Sequence, residues 1–241
     1  MPGSSYTIFF IGDIIVLFYP FIWKEVTRVK RFEQVAAPFG MAGVVFYLIH
    51  TGLGRILWPE YNPVTMDISS LTAQNAPNAD LLRVFTTIYG ICMLVFVAGM
   101  IAKAFRQYNR AVRAGYLILI AMELVSVFGY ALFPLTGDKT VMTFQNMMHI
   151  VVTVIVVFTT IASGFFLAAG YRKEAGTRKL GNFLLVMAIL ITVAGMSNPI
   201  GMGAGLNILG LTERLVIYSV QLMIFVLSAY YTFGRREAIS R

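Results

Sequence analysis

The chain has 241 residues, of which 58% are hydrophobic and only 12% are charged, and its mean hydropathy is +0.77. Soluble domains carry roughly 25% charged residues, and a chain of this length has no core large enough to hide so much apolar surface. The composition therefore excludes a soluble globular domain and indicates an integral membrane protein. The formal net charge of +8 does not indicate a nucleic-acid partner, because the basic residues fall in short segments between apolar runs.

Apolar runs long enough to cross a bilayer recur along the whole chain. Because a segment in lipid must satisfy its own backbone hydrogen bonds, each run is predicted to be a helix. In chain order, spans 1 to 7 are Tyr6–Trp23, Val35–Trp58, Val84–Phe105, Ala114–Leu135, Met147–Gly170, Asn182–Met202 and Leu211–Phe233. The predicted fold is an all-α membrane protein, a seven-transmembrane helical bundle. Span 7 contains no lysine, which excludes a retinal Schiff base.

Basic residues are distributed unevenly between the two sides of this bundle. Most of the 19 Lys and Arg residues lie between spans 1 and 2, 3 and 4, 5 and 6, or after span 7, whereas Arg55, Arg83, Lys139 and Arg214 lie near the other side. Cytoplasmic loops are the basic ones. The N-terminus is therefore predicted outside and the C-terminus in the cytoplasm, which makes the polar segment 59–83 an external loop.

The external loop 59–83 contains several local signals. Loops of this length without secondary structure are usually functional or disordered. Trp58 and Tyr61 are typical of the membrane–water interface. Asp80 is predicted to cap the helix that follows.

Ionisable residues inside a predicted span are candidates for function, because a charge in lipid is costly. They are Asp13 in span 1, His50 in span 2 and Glu123 in span 4, and the polar Gln221 in span 7 joins them. The estimated depths of Asp13 and His50 match, so a buried Asp13–His50 pair is one interpretation.

Polar residues also recur at helical spacing in spans 4, 5 and 7. Each set falls on one face of its helix, so we expect these faces to point inward, where they either line a cavity or cross-link helices by hydrogen bonds. The sets are Tyr116, Glu123, Ser126 and Tyr130; His149, Thr153, Thr160 and Ser163; and Arg214, Tyr218, Gln221 and Ser228.

Charged and polar residues gather at the predicted external ends of the spans. The ligand-binding candidates are His149, Arg214, Glu213, Asp67, Arg83 and Arg55. An arginine at these ends is expected to bind an anionic headgroup. His149 is expected to make a contact that depends on pH. The alternative is an ion-pair network that ties the helix ends together. Ser69, His149 and either Asp67 or Asp138 are also the residue types of a hydrolytic triad, although no G-x-S-x-G elbow accompanies them.

Neither a metal nor a cofactor is expected. His50 and His149 are the two histidines; they lie at different predicted depths and show no H-E-x-x-H spacing, which disfavours haem and zinc. The single cysteine, Cys92, lies inside an apolar run and gives no disulfide or zinc framework.

Four segments carry a resemblance to a known family: "YNPVTMDISSLTAQNAPNADLLRVFTTIYG", "ALFPLTGD", "MMHIVVT" and "GLTERLVIY". In their order and spacing the chain resembles, over about residues 35–233, a prokaryotic multi-pass membrane family known as domain of unknown function 998. The resemblance implies a six-helix domain, residues 35–241, after an additional helix and basic cytoplasmic loop, residues 1–34. It implies no activity. The residues it marks are Asp67, Ser69, Pro77, Pro134, Asp138, His149, Glu213 and Arg214.

The leading hypothesis is a prokaryotic plasma-membrane protein with an outward-facing polar pocket. The pocket would bind or move a lipid-like or small amphipathic ligand, and membrane lipids are the expected partners. Two alternatives stay open: a membrane-embedded lipid hydrolase or transferase, and a non-catalytic structural or regulatory subunit. The sequence leaves the oligomeric state open.

Overall fold

The computed structural model describes residues 27–137 and 141–234, apart from the side chain of Met202. Six helices in this part are long and apolar enough to cross a membrane, and the chain is a membrane-type helical protein. The helices are α1 (Phe39–Leu57), α2 (Ala79–Gln107), α3 (Arg110–Leu132), α4 (Phe144–Arg172), α5 (Arg178–Gly203) and α6 (Leu209–Phe233). Residues 27–36 are also helical and continue into α1 as one span, Thr27–Leu57.

Helices α1 to α6 correspond to predicted spans 2 to 7. Span 1, with Asp13, lies outside the described residues, as does Asp138. Two short 3-10 helices, Ile68–Thr72 and Ala175–Thr177, complete the described secondary structure. The described residues contain no β-strand, and an isolated bridge joins Gln74 to Thr136.

The six helices form a closed ring in chain order. Each helix packs against its neighbours in the chain, and α6 packs back against α1. The α1–α6 seam is fastened by Ser228 of α6, whose hydroxyl donates to Ala37 O at 2.6 Å and accepts from Met41 N at 2.9 Å. Gly40 lies against this serine, and a Cβ at that position would come within 2.7 Å of Ser228 Cβ. A small residue is therefore needed where the ring closes.

Many buried apolar side chains pack inside the ring, and others cover its outside. Met93, Phe96 and Leu119 are among the fully buried residues. Phe128 and Phe158 are exposed on the outer face. An apolar exterior around an apolar core is what a lipid-facing bundle requires.

Three connections meet at one end of the ring, which we call the cap end: residues 58–78, the described residues 133–137 and 141–143, and residues 204–208. Residues 58–78 form the largest of them, here called the cap. Gln74 N of the cap donates to Leu135 O at 2.7 Å, and Leu211 N donates to Val64 O at 3.0 Å. The cap therefore contacts the connection between α3 and α4 at Leu135 and the start of α6 at Leu211.

The opposite end, here called the basic end, holds all the described Lys and Arg residues except Arg55, Arg83 and Arg214. It is closed by hydrogen-bonded tyrosines from three helices and the α2–α3 connection. Their hydroxyl oxygens lie 2.8 Å apart in Tyr116 and Tyr171, 2.6 Å apart in Tyr231 and Tyr171, and 3.0 Å apart in Tyr231 and Tyr108.

Several helices begin earlier than hydropathy predicted. Helix α2 begins at Ala79 rather than Val84, which shortens the predicted loop 59–83. The prediction that Asp80 caps this helix was wrong. The N-cap is Asn78, in the left-handed conformation with φ of 59°, and Asp80 lies in the first turn, where it pairs with Arg83 at 2.8 Å. A search for apolar runs along the sequence does not detect a polar first turn of this kind.

Candidate functional site

The cap has a small apolar core of its own. Tyr61, Ile68 and Leu71 are buried and pack with Leu82 of α2. Leu71 lies over Gly54 of α1, where a Cβ would approach its side chain to 2.8 Å. The cap is therefore seated on the bundle. The interpretation of Tyr61 as an interfacial aromatic was wrong, because only 1% of the residue is exposed.

Arg214, at the start of α6, holds the cap through backbone carbonyls. Its Nη1 donates to Pro63 O at 2.6 Å and to Met66 O at 3.0 Å. Its Nη2 donates to the Tyr61 hydroxyl, and the guanidinium carbon lies 5.3 Å from the centre of the Tyr61 ring. A planar fork with several donors suits this set of acceptors. Arg214 is thus directed into the cap.

Tyr61 links this arginine to the cap backbone. Its hydroxyl accepts from Arg214 and donates to Asp67 O at 2.7 Å. Burial raises the pKa of Tyr61 to about 12, although the hydrogen bond and positive charge of Arg214 oppose that rise. The hydroxyl therefore stays protonated at neutral pH and keeps both hydrogen bonds.

Two carboxylates hold the start of the 3-10 helix Ile68–Thr72. Glu213 Oε2 accepts from Ile68 N at 2.7 Å. Asp67 is the N-cap residue, and its Oδ1 accepts from Ser70 N at 3.1 Å and from the Ser70 hydroxyl. The first amides of a helix lack intrahelical acceptors, and carboxylates there satisfy them. Glu213 thereby fastens the cap to α6.

Arg83 and Arg55 contact the edges of the cap. Arg83 Nη2 donates to Thr72 O at 2.9 Å, and Arg55 Nη1 donates to Pro59 O at 3.1 Å. The predicted ligand-binding residues Arg214, Glu213, Asp67, Arg83 and Arg55 therefore all contact the cap, mostly at its backbone. At this end, charged side chains bind peptide groups of the cap, and Asp80 and Arg83 form an ion pair beside them.

His149 lies on α4 and contacts the connection that precedes this helix. Its Nδ1 lies 2.8 Å from Phe133 O, and its ring stacks on Tyr130 with centroids 5.0 Å apart. Asn146, one turn earlier on α4, is fully buried, and its Oδ1 accepts from the amide and the hydroxyl of Thr136, each at 2.8 Å. Sequence reasoning missed Asn146. Its spacing of three residues from the N-cap Thr143 was the available signal.

Ser69, Asp67 and His149, the described residues of the predicted hydrolytic triad, are not linked by hydrogen bonds of the Ser69 hydroxyl. Asp67 bonds to Ser70 rather than to Ser69. Among the described residues, the Ser69 hydroxyl makes no hydrogen bond to Asp67 or to His149. The fourth candidate, Asp138, lies outside the described part of the chain.

Below the cap, polar residues from four helices enter the interior of the ring. Gln221 Nε2 on α6 donates to the Tyr89 hydroxyl on α2 at 3.2 Å. Glu123 on α3 is close enough to Tyr89 to interact with it electrostatically. The Tyr47 ring on α1 lies 4.9 Å from the Tyr89 ring and 5.6 Å from the His50 ring. These five residues form what we call the interior polar cluster.

Three members of the cluster are buried with unsatisfied atoms. His50, Glu123 and Gln221 are 2%, 1% and 4% exposed. Among the described residues, both His50 ring nitrogens, Glu123 Oε1 and Gln221 Oε1 have no hydrogen-bond partner. At about 1.5 Å per residue, Glu123, Tyr89 and Gln221 lie roughly 14 to 18 Å from the cap end of their helices, and His50 roughly 10 Å.

Other polar residues at the predicted helical spacing cross-link helices instead. Ser163 on α4 donates to Gly115 O on α3 at 2.9 Å, and Ser228 fastens α6 to α1. Tyr218 departs from the expected inward face, since 39% of it is exposed, although its hydroxyl donates to Thr51 Oγ1 at 3.4 Å. The polar faces therefore combine satisfied cross-links with the unsatisfied interior polar cluster.

Comparison with known proteins identifies a family but no similar individual protein. A family model described as protein of unknown function (DUF998) matches residues 41–230. No curated protein and no solved structure matches the chain. The matched range includes the cap and the interior polar cluster, and it begins after predicted span 1.

Proposed function

The chain belongs to the DUF998 family of proteins of unknown function, and we propose that it is a plasma-membrane protein that binds a lipid-like or small amphipathic ligand in the polar interior beneath its cap. The cap end faces the outside in this proposal and the basic end faces the cytoplasm, in accord with the distribution of Lys and Arg.

The observation that carries the proposal is the set of buried, unsatisfied atoms on His50, Glu123 and Gln221, which come from three helices of one ring and are connected through Tyr47 and Tyr89. Leaving a buried polar group without a partner costs about 1 to 3 kcal/mol. A molecule that supplies partners to several of these atoms removes that cost when it binds. Ionisable residues inside a membrane bundle commonly mark such sites.

The surroundings of the cluster favour an amphipathic ligand. Tyr47 and Tyr89 place aromatic rings beside the polar atoms, so a ligand with one polar group and an apolar body matches both surfaces. The hydroxyl contacts among Tyr108, Tyr116, Tyr171 and Tyr231 close the basic end. Entry is therefore from the cap end.

The cap serves as the lid of this site. Arg214, Glu213 and Arg83 hold it mainly through hydrogen bonds to its backbone, and its apolar core is small. In this proposal these contacts break when the cap opens and form again when it closes. The charged residues at the helix ends thus control access, and the interior polar cluster binds.

The test is native mass spectrometry of the protein purified in a mild detergent, with the wild type compared with Gln221→Leu. The control is Gln107→Leu, which makes the same substitution at an exposed position near the basic end. We expect a small amphipathic adduct on the wild type and the control, and several-fold lower occupancy on Gln221→Leu. Equal occupancy in all three, or no adduct beyond detergent and bulk lipid, contradicts the proposal.

A further inference from the structure

The unsatisfied atoms of the interior polar cluster also indicate the chemistry of what they bind, and this inference rests on the proposed function. We infer that the group which the ligand places beside Glu123 and Gln221 is a protonated amine. Four features lead to this assignment: the balance of acceptors and donors, the placement of positive charge, the neighbouring aromatic rings and the choice between an organic and an inorganic cation.

When a cationic partner keeps the Glu123 carboxyl ionised, acceptors outnumber donors among the unsatisfied atoms. Glu123 Oε1 and Gln221 Oε1 are acceptors when the carboxylate is ionised. The Gln221 amide nitrogen is already engaged with the Tyr89 hydroxyl. His50 in its neutral form adds one acceptor and one donor. A primary ammonium group supplies three N–H donors and no acceptor, whereas a carboxylate, sulfate or phosphate would add further acceptors.

No described basic side chain is placed to neutralise Glu123. Arg214, Arg83 and Arg55 lie at the cap, and the other described Lys and Arg residues lie at the basic end. The buried Lys103 belongs to that end, where its Nζ lies 5.0 Å from the centre of the Tyr231 ring. A buried carboxylate needs a charge partner at close range. A cationic ligand provides that partner from outside the chain.

Aromatic rings complete the surroundings of the cation. Tyr47 and Tyr89 stand edge to face with their centroids 4.9 Å apart, and the Tyr89 hydroxyl accepts from Gln221 Nε2. The face of a tyrosine ring attracts a cation that has left water. Glu123 interacts electrostatically with the same Tyr89, so the charge and the rings act on one position.

An organic cation fits better than a metal ion. The described residues contain no group of three His, Cys, Asp or Glu side chains that could hold a metal. Hard metal ions take six or more oxygen ligands, and the cluster offers few. An ammonium group needs only three acceptors, and its alkyl chain accounts for the apolar part of an amphipathic ligand.

The experiment measures thermal stabilisation in a neutral detergent by three probes with the same chain: n-octylammonium, octanoate and 1-octanol, each titrated at constant NaCl. A ligand that binds only the folded state raises the melting temperature with concentration. The variants are Glu123→Gln, Gln221→Leu and, as a control with the same change of charge at an exposed cap position, Glu60→Gln. We expect n-octylammonium to stabilise the wild type and Glu60→Gln, with apparent Kd about 10-fold or more weaker in Glu123→Gln.

Gln221→Leu gives an independent measurement if Glu123→Gln does not fold, and there we expect several-fold weaker binding of n-octylammonium. If octanoate or 1-octanol stabilises as well as n-octylammonium and depends on Gln221, the amine assignment is wrong while the proposed function stands. A separate titration with NaCl and no probe is the remaining arm, and stabilisation there that requires Glu123 overturns the amine assignment in favour of an inorganic cation. If no probe of any charge stabilises the protein, both the inference and the proposed function are overturned.

Discussion

Arg214 shows how a single charged side chain can hold a loop without an ion pair. Its two terminal nitrogens donate to Pro63 O, Met66 O and the Tyr61 hydroxyl. These acceptors belong to three separate residues of the cap, and a flat guanidinium reaches all of them at once. Lysine carries the same charge but only one nitrogen, on a flexible stem. The shape of the group, and not only its charge, therefore determines the attachment.

We predict that Arg214→Lys destabilises the cap by about 1 to 3 kcal/mol, because at least one carbonyl or the Tyr61 hydroxyl loses its donor. The control Arg55→Lys changes an exposed contact to Pro59 O alone and should stay within about 0.5 kcal/mol of the wild type. Fluorescence of Trp58, whose ring lies 5.6 Å from that of Tyr61, follows thermal opening in a Trp23→Phe background. Identical melting curves for the two variants would show that Arg214 does not hold the cap.

The charged residues around the cap were partly predictable from the sequence. Charge placement predicted that Glu213 and Arg214 lie at the same end as Asp67 and Arg83, and the structure brings these residues together around the cap. Their partners are mainly backbone atoms of residues 63–72. Every residue has a backbone carbonyl, so the pattern of residue types does not show which carbonyls an arginine side chain will contact.

The fit between the cap and α6 depends on one position in the helix. At Gly210 a Cβ would lie 2.1 Å from Met66 O and 2.7 Å from Pro63 O. These are the same two carbonyls that Arg214 contacts one turn later. The helix must therefore lack a side chain at Gly210 for the Arg214 contacts to form, and both residues belong to the segment "GLTERLVIY".

We predict that Gly210→Ala displaces the cap and lowers the free energy of unfolding by about 1 to 3 kcal/mol, because the new methyl group meets backbone and not a mobile side chain. The matched control is Gly52→Ala on α1, where a Cβ has no neighbour within 4 Å among the described residues. Removing a helical glycine there should stabilise by about 0.5 to 1 kcal/mol. Chemical denaturation of the two variants measures both effects, and the same sign for both would contradict the close-contact explanation.

Helices were easier to predict than their ends. Spans 2 to 7 correspond to α1 to α6 because a bilayer imposes a minimum apolar length. The first turns of α3 and α4 were missed because Asn109 and Thr143 cap them with side chains that accept from backbone amides. Helix α5 continues through Pro199 to Gly203, although a proline inside a helix commonly kinks or ends it. Hydropathy predicts the segments that cross the lipid, but it does not detect the polar residues that cap a helix.

The whole molecule has one polar, capped end and one basic end. We predict that the cap faces the outside and that the basic end faces the cytoplasm, because positive loops are retained there. The measurement is labelling of intact cells by a membrane-impermeant maleimide, with Val64→Cys in the cap and Gly176→Cys between α4 and α5, both at exposed positions. Val64→Cys should react at once and Gly176→Cys only after permeabilisation. The reverse result would invert the orientation.

The native Cys92 is buried, so it contributes little background to that labelling. The unmodified chain measures what remains.

The seam between α1 and α6 has a consequence for biosynthesis. Of the described helices, α6 leaves the ribosome last, yet its Ser228 supplies the hydrogen bonds that join it to Ala37 and Met41 at the beginning of the ring. Gln221, which donates to Tyr89, arrives on the same helix. The other described helices therefore enter the bilayer while the ring is still open, and the polar interior is complete only after α6 has been inserted.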